Sequence, residues 1–299
     1  MDVAKLLNEV VSDKGDFMTK YVSLFSQLYH SLSYSIKRSE TCYRGSMLII
    51  SVDVDVGSKE LGIINKGKND ANVNKNTSEY KIGEIEEFAL PMFMETFDSF
   101  KIPASFAIRG QLTVVNGSVL GLLRESSVKH DIAAHGYSHR KFTQLSREEA
   151  ESELNMISQG MERFGITPRT FVFPANCIAY LDLLEKYGYS CYRGYGNFIA
   201  DTMCIEKQGE LYNIHPSFYV DKYTKPIFLR KILDISTAAK LPFHIWFHLW
   251  NFGEGKDIQR SIEDIFLPLL DYAKKKEENG LLTFETMLSA AKRVEKHEE

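Results

Sequence analysis

The chain has 299 residues, of which 44% are hydrophobic and 25% charged, a composition that excludes disordered and collagen-like proteins. Its net charge of −4 gives no electrostatic reason to bind nucleic acid. The four cysteines, Cys42, Cys177, Cys191 and Cys204, show no CxxC spacing and are expected to be isolated thiols in a reducing compartment. We find no secretory signal and no apolar run of membrane-spanning length, so the sequence predicts a cytoplasmic protein without a transmembrane segment.

Residues 1–44 are predicted to be a helical extension of a single domain that spans residues 45–299. Apolar residues such as Leu6, Val10 and Leu24 recur there at helical spacings. We expect the extension to pack on its own domain. A helix that docks on a partner or on a membrane surface is the alternative, but the stripe has no strongly basic opposite face.

Strands and helices alternate along the rest of the chain. The run 47–57 is apolar and β-branched and predicts a strand, and the polar stretch 66–79 predicts a long surface loop. Ser146, followed three residues later by Glu149, predicts a helix start with a capping box. The remaining predicted helices are 81–100, 181–187 and a C-terminal region from about 258. The remaining predicted strands are 104–110, 170–176 and 242–250, and 130–139 is predicted to be a short strand that runs into a loop. The alternation predicts one parallel α/β barrel or sheet.

Two carboxylates lie on the same face of the first strand. Side chains alternate along a strand, so Asp53 and Asp55 share a face with Ser51, roughly 7 Å apart at about 3.3 Å of rise per residue. Like charges directed into one site repel each other unless a cation neutralises them or their pKa values separate. The alternative is an exposed edge or helix-capping pair, and the apolar context of the strand disfavours it.

Two pairs of histidines have the HxxxH spacing, which brings two imidazoles to one side of a turn. His135 and His139, with one carboxylate, would leave positions open for water and substrate around a zinc ion. The second pair, His244 and His248, lies in a strand. The pair shares a face with Trp246 and Trp250, and this face is predicted to be a pocket wall, with His248 as a catalytic group at the strand end. In the alternative, both of these histidines are interior groups.

These segments resemble the motifs of one family, the polysaccharide deacetylases with the NodB homology domain. The matching segments are SVDVDVG (51–57), HGYSH (135–139), FVFPAN (171–176) and IWFHLWN (245–251). They occur in the family's order, and the resemblance covers about residues 47–290.

The resemblance implies a distorted (β/α) barrel that hydrolyses non-peptide C–N amide bonds, with an N-acetylated sugar or lipid-linked saccharide as substrate. Asp55, His135 and His139 would bind a divalent metal ion, expected to be zinc. Asp53 would be the general base that deprotonates the attacking water, and His248 the general acid for the leaving amine. The roles implied for substrate are the backbone N–H of Ala175 after Pro174, which would stabilise the oxyanion, and the rings of Trp246 and Trp250, which would stack on sugar.

The sequence departs from the family's pattern at two positions. Val54 separates the two aspartates, which are adjacent in the common form. The usual arginine that supports the base falls at Val172, and either Arg109 or Arg193 would have to replace it. A deformylase, a ureide amidase and an inactive carbohydrate-binding member of the same fold therefore remain alternatives, and the oligomeric state, including a homo-oligomer, stays open.

Overall fold

The structure is a computed structural model that describes residues 43, 45–55, 85–115, 117–195, 203–253 and 256–298. The predicted extension 1–44 lies outside the described residues except for Tyr43, and the predicted loop 66–79 lies outside them entirely. The division into an extension and a catalytic domain therefore stays a prediction.

Ten strands in the described ranges form one sheet, which confirms the predicted α/β barrel class. They are β1 Met47–Val54, β2 Ser105–Ile108, β3 Asp131–Ala134, β4 Thr170–Cys177, β5 Cys191–Tyr195, β6 Ile205–Gln208, β7 Leu211–Ile214, β8 Phe218–Tyr219, β9 Pro242–His248 and β10 Thr283–Glu285. Their order is β6-β7-β5-β4-β3-β2-β1-β9-β8, and β10 pairs with β1. The pairs are parallel except for the β6–β7 hairpin, which lies in a segment where no strand was predicted.

Helices connect the strands, and most pack on the outer face of the curled sheet, whereas the C-terminal helix packs against the inner face. They are α1 Leu90–Phe100, α2 Leu112–Val115, α3 Ser118–Glu125, α4 Arg147–Glu162, α5 Leu181–Lys186, α6 Pro226–Ala239, α7 Lys256–Ser261, α8 Leu267–Glu278 and α9 Met287–Glu298. The segment Ile85–Ala89 leads into α1 as a π-helix, and Ile262–Phe266 joins α7 to α8 in the same way. Among the described helices, none has the length and apolar character that crossing a membrane requires.

The alternation of side chains in β1 separates two cores. Its even-numbered residues, from Leu48 to Val54, join the large core beneath the helices. Met47 and Ile49 join a smaller core on the inner face. Ser51 and Asp53 continue this inner face toward the carboxyl end of the strand, where they are buried polar groups. The predicted division of β1 into an apolar and a polar face is therefore observed.

The cysteines differ from the expectation of four isolated thiols. Cys204 is disulfide-bonded, whereas Cys177 and Cys191 are free. Disulfides persist mainly in oxidising compartments, so the bond at Cys204 removes the argument from cysteine spacing to a reducing environment.

Candidate active site

The candidate site lies at the carboxyl ends of neighbouring parallel strands. Asp53 is the second-last residue of β1, and Asp55 follows directly after that strand. His135 follows β3, Arg193 lies in β5, and His248 ends β9. Parallel α/β barrels place their active sites at this edge, because the loops that follow the strands meet there.

Asp55, His135 and His139 form the one cluster of potential metal ligands found among the described residues. One ligand atom from each lies within 4.8 Å of the other two. The Nε2 atoms of the two histidines are 3.1 Å apart, and Nε2 of His139 lies 3.5 Å from Oδ2 of Asp55. Two nitrogens and one carboxylate oxygen make a donor set that is typical of catalytic zinc.

Both imidazoles are in the state that a metal requires. Nδ1 of His135 lies 2.8 Å from the carbonyl oxygen of Val172 and donates its proton there, which leaves the lone pair of Nε2 directed at the cluster. Burial lowers the pKa of His135, and burial together with the neighbouring His135 ring lowers the pKa of His139 to about 3. Both rings are therefore neutral at neutral pH, and the residues present fit a divalent cation.

Asp53 is held by an arginine from β5. Nη2 of Arg193 donates to Oδ2 of Asp53 at 2.5 Å, and both side chains are almost fully buried. In the sheet register, Arg193 is the direct neighbour of Val172, the position where the usual arginine is missing. Burial alone would raise the pKa of Asp53, but the Arg193 guanidinium and the two nearby imidazoles outweigh burial and hold this pKa below its ordinary value. Asp53 is therefore ionised, and its Oδ1 accepts no hydrogen bond from the described residues.

A buried chain of hydrogen bonds fixes Arg193 in turn. Nδ1 of His244 lies 3.2 Å from the carbonyl oxygens of Ile214 and His215, so it carries the proton and Nε2 is an acceptor. The Ser51 hydroxyl therefore donates to Nε2 of His244, at 2.7 Å, and accepts from Nη1 of Arg193, at 2.8 Å. His244 is 1% exposed, so the pocket-wall prediction does not hold for it, because the inner face of β9 is closed over at this depth.

His248 lies at the open end of the same strand face. Its Nε2 is 3.7 Å from Oδ2 of Asp53 and 4.0 Å from Oδ2 of Asp55. The Asn251 side-chain oxygen accepts from the backbone N–H of His248 at 2.7 Å and lies 3.2 Å from its Nδ1. The ring is therefore held by its Nδ1 side and presents Nε2 to the two carboxylates. No sequence signal singled out Asn251.

The two tryptophans contact the charged groups of the site. The Trp250 ring stacks on His248 with centroids 4.4 Å apart, and its Nε1 donates to Oδ1 of Asp55 at 3.1 Å. The Arg193 guanidinium lies over the Trp246 ring at 4.7 Å from its centroid. Each indole thus contacts a charged or polar group of the site. Its predicted stacking on a sugar ring stays a prediction.

The segment predicted to stabilise the oxyanion has an unusual backbone. Ala175 and Asn176 both have φ of +54°, in the left-handed region that residues other than glycine seldom adopt. The pairing of β4 with β5 is interrupted there, between Val172 and Cys177. A Cβ placed on Gly136 would lie 3.0 Å from the ring of Pro174, so Pro174 packs closely against the HGYSH segment. The role of the Ala175 N–H stays a prediction.

Comparison with known proteins agrees with this architecture. The family model described as "Polysaccharide deacetylase" matches residues 84–191, just over a third of the chain. A structure from Mycobacterium smegmatis, assigned as a polysaccharide deacetylase, aligns with a TM-score of 0.63 at 13% identity, covering 85% of this chain and 92% of its own. The Puue allantoinase aligns with a TM-score of 0.58 at 10% identity, covering 82% and 89%. At these identities the likeness shows the fold. No curated protein sequence matches the chain.

Proposed function

We propose that the chain is a metal-dependent hydrolase that removes the acetyl group from an N-acetylated sugar or lipid-linked saccharide. The match of residues 84–191 to the polysaccharide deacetylase model supports this proposal. The observation that carries this proposal is the meeting of Asp55, His135 and His139 beside Asp53 and His248. Three ligand atoms, an ionised carboxylate and an imidazole are the groups that hydrolysis of an amide needs.

The proposed cofactor is zinc, held by Asp55, His135 and His139. Neutral imidazole and carboxylate ligands suit zinc, and three protein ligands leave room for water and substrate. A bound divalent cation would lower the pKa of a water molecule and polarise the acyl oxygen. Trp250 holds Oδ1 of Asp55, which leaves Oδ2 as the oxygen that faces His139.

The protein's own groups account for both proton transfers. Asp53 accepts a proton from the attacking water, and Oδ1 is the oxygen with no hydrogen bond among the described residues. The water oxygen bonds to the acyl carbon, the C–N bond breaks, and the leaving nitrogen takes a proton from Nε2 of His248, which enters the reaction as the imidazolium and keeps its other proton on Nδ1 beside Asn251. Acetate and the free amine are the products. The 3.7 Å between Oδ2 of Asp53 and Nε2 of His248 supports the assignment of these two groups as base and acid for one amide.

The position of Arg193 weakens the case for an inactive carbohydrate-binding member of the family. That alternative depended on Val172, which cannot support the base. The guanidinium of Arg193 comes from the neighbouring strand and binds Asp53 directly, so the base has the cationic partner that Val172 fails to supply. We therefore favour an active hydrolase over a carbohydrate-binding module.

The test separates metal binding from chemistry. Purified protein is assayed for metal content and for release of acetate, formate and ammonia from N-acetylated sugars, an N-formylated amino sugar and a ureide. Asp55→Ala is expected to lose both metal and hydrolysis, whereas Asp53→Asn keeps the metal and loses hydrolysis. Asp271→Ala, at an exposed position on α8, is the control and is expected to keep both.

Each product identifies one alternative. Acetate alone supports the proposed deacetylase, formate identifies a deformylase, and ammonia identifies a ureide amidase. Hydrolysis that persists in Asp55→Ala, or a wild-type protein that binds no divalent metal, contradicts the proposal.

The proposed compartment, the cytoplasm, conflicts with the disulfide at Cys204. Trapping of free thiols in intact cells decides between them. A reduced Cys204 supports the cytoplasm, and an oxidised one places the protein in an oxidising compartment.

A further inference from the structure

The loop between the two histidine ligands is held from both sides at Ser138. Glu153, a 5% exposed residue of α4, accepts the backbone N–H groups of Tyr137 and Ser138 at Oε2, each at 2.8 Å. Its Oε1 accepts the Ser138 hydroxyl. From the other side, Nη2 of Arg109 donates to the carbonyl oxygen of Ser138 at 3.1 Å. The N–H, hydroxyl and carbonyl of Ser138 are therefore all bound, and we call these contacts the Ser138 clamp.

The position of the His139 ring is set by the conformation of the His139 backbone. Its φ is +61°, in the left-handed region, which a residue other than glycine keeps only where the surrounding structure imposes it. His135 is 1% exposed and its Nδ1 is tied to Val172, whereas the His139 side chain is 30% exposed. Within the described part of the chain, Nδ1 of His139 forms no hydrogen bond that would fix its ring.

We propose that Glu153 is a positioning residue for the metal. Through the Ser138 clamp it holds the His139 backbone in the left-handed conformation, so that Nε2 of His139 faces Asp55 and His135 before a cation binds. The inference rests on the proposed function, because it concerns the same metal site. Residues that orient metal ligands typically change metal affinity by about 10- to 100-fold when they are replaced.

Two conservative variants of Glu153 distinguish the effect of its side-chain length from the effect of its charge. Glu153→Asp keeps the negative charge but withdraws the carboxylate from the loop by one methylene. Glu153→Gln loses the charge but keeps an oxygen that can accept both N–H groups, and the Ser138 hydroxyl can rotate to accept from the new amide. The clamp predicts that Glu153→Asp binds metal more weakly by about tenfold or more and that Glu153→Gln stays within about threefold of wild type.

The measurement is a titration of the metal-stripped full-length protein with Zn²⁺ in the presence of a competing chelator. Glu162→Ala, an exposed position on the same helix, is the matched control and is expected to bind like wild type. Denaturant unfolding of each metal-free variant is measured in parallel, so that a loss of stability is not counted as a loss of affinity. Should Glu153→Asp fail to fold, Ser138→Ala removes one contact of the clamp and is expected to weaken Zn²⁺ binding by about threefold.

The opposite order of the two variants would overturn the proposal. If Glu153→Gln binds weakly and Glu153→Asp binds like wild type, the charge of Glu153 acts on the cation and the loop contacts do not matter. Equal affinity of wild type, Glu153→Asp and Ser138→Ala also overturns it. A wild-type protein that takes up no Zn²⁺ instead contradicts the proposed function itself, so the two failures are distinguishable.

Discussion

The arginine that binds Asp53 lies on the strand next to the one where the family's motif would have it. The residues of neighbouring strands therefore have to be examined before an active site is judged incomplete. Arg193 lies beside Val172 in the register of β4 and β5, and both side chains lie on the inner face of the sheet. A long arginine side chain can therefore reach Asp53 from either strand. A comparison of motifs along the sequence finds no arginine at Val172, although the guanidinium of Arg193 binds Asp53 from the neighbouring position in the sheet.

We expect Arg193→Ala to lower kcat/KM by roughly 100-fold and Arg193→Lys by roughly tenfold, because a charged hydrogen bond is worth about 1.5–3 kcal/mol. Lysine keeps the charge but cannot bind Ser51, Asp53 and Asn176 together as the guanidinium does. Steady-state kinetics on the substrate that gives product is the measurement. Bound metal should be unchanged in both variants, and Arg169→Ala, at an exposed position, is the control. Unaltered kinetics in Arg193→Ala would remove this residue from the mechanism.

His244 predicts an acid-sensitive contribution to stability. Burial lowers its pKa to about 3, while in the unfolded chain its pKa is near the ordinary value of about 6.5. Between these values the unfolded state binds more protons, so the free energy of unfolding falls as pH falls from about 6.5 toward 3. His244→Gln can donate to the same carbonyls and accept from Ser51 without titrating. We expect its stability, measured by denaturant unfolding of metal-free protein, to fall less steeply than that of wild type over this window.

The residue types and their spacing in the sequence predicted which side chains converge at the site. They did not predict which residues hold those side chains in position. The HxxxH spacing and the aspartates of β1 identified the side chains found within 4.8 Å of one another or next to that cluster. The sequence left Arg193 and Arg109 as equal candidates to support the base and did not single out Glu153. Arg193 is 140 residues from Asp53 in the chain, and Glu153 is 16 residues from Tyr137. Only the sheet register and the packing of α4 bring Arg193 and Glu153 to these partners.

The start of α4 shows how local chemistry determines an element. The Ser146 hydroxyl accepts from the Glu149 N–H at 3.2 Å, and the Glu149 carboxylate accepts from the Ser146 N–H at 2.8 Å, which is the predicted capping box. The stripe of Ala150, Leu154 and Ile157, at helical spacing in the sequence, is buried. A helix that carries its own cap and its own apolar face can be predicted without its neighbours.

We expect Ser146→Ala to lower the free energy of unfolding by about 1 kcal/mol, because the Glu149 N–H at the start of α4 loses its hydroxyl partner. Ser152→Ala, at an exposed position within the same helix, is expected to leave stability within about 0.5 kcal/mol of wild type. Urea denaturation measures both. Equal midpoints for the two variants would show that the cap does not stabilise the folded protein.

The elements that were not predicted include the β6–β7 hairpin, whose signal depends on pairing. β6 and β7 have four residues each and meet at Gly209, which has a φ of +63°. β7 pairs with β5 and β6 pairs with β7, so the two strands are defined by their pairing and not by a pattern within either segment. The helix α6 lies in the same region, and no element was predicted for it either.

Across the whole molecule, a cation at the proposed site would join segments about 80 residues apart. A ligand that binds only the folded state stabilises it by about 2.7 kcal/mol at a free concentration of 100 times Kd. We therefore expect Zn²⁺ to raise the unfolding temperature of metal-stripped wild-type protein in differential scanning calorimetry, and Asp55→Ala to abolish the rise. Asp182→Ala, on the surface, should retain it. A rise of the same size in Asp55→Ala would place the stabilising ion elsewhere.

The pairing of β1 has a consequence for how the protein is made. β1 is fully buried, pairs with β9 from Met47 to Asp53, and pairs with β10 at Met47–Ile49. β9 begins 188 residues after β1 ends, and β10 begins later still, so on the ribosome the edge of this apolar strand that pairs with β9 stays open until that stretch has been synthesised. We therefore expect the sheet to close only after β9 has been synthesised. Nascent chains that stall before β9 are expected to expose an unpaired apolar strand that chaperones and proteases bind.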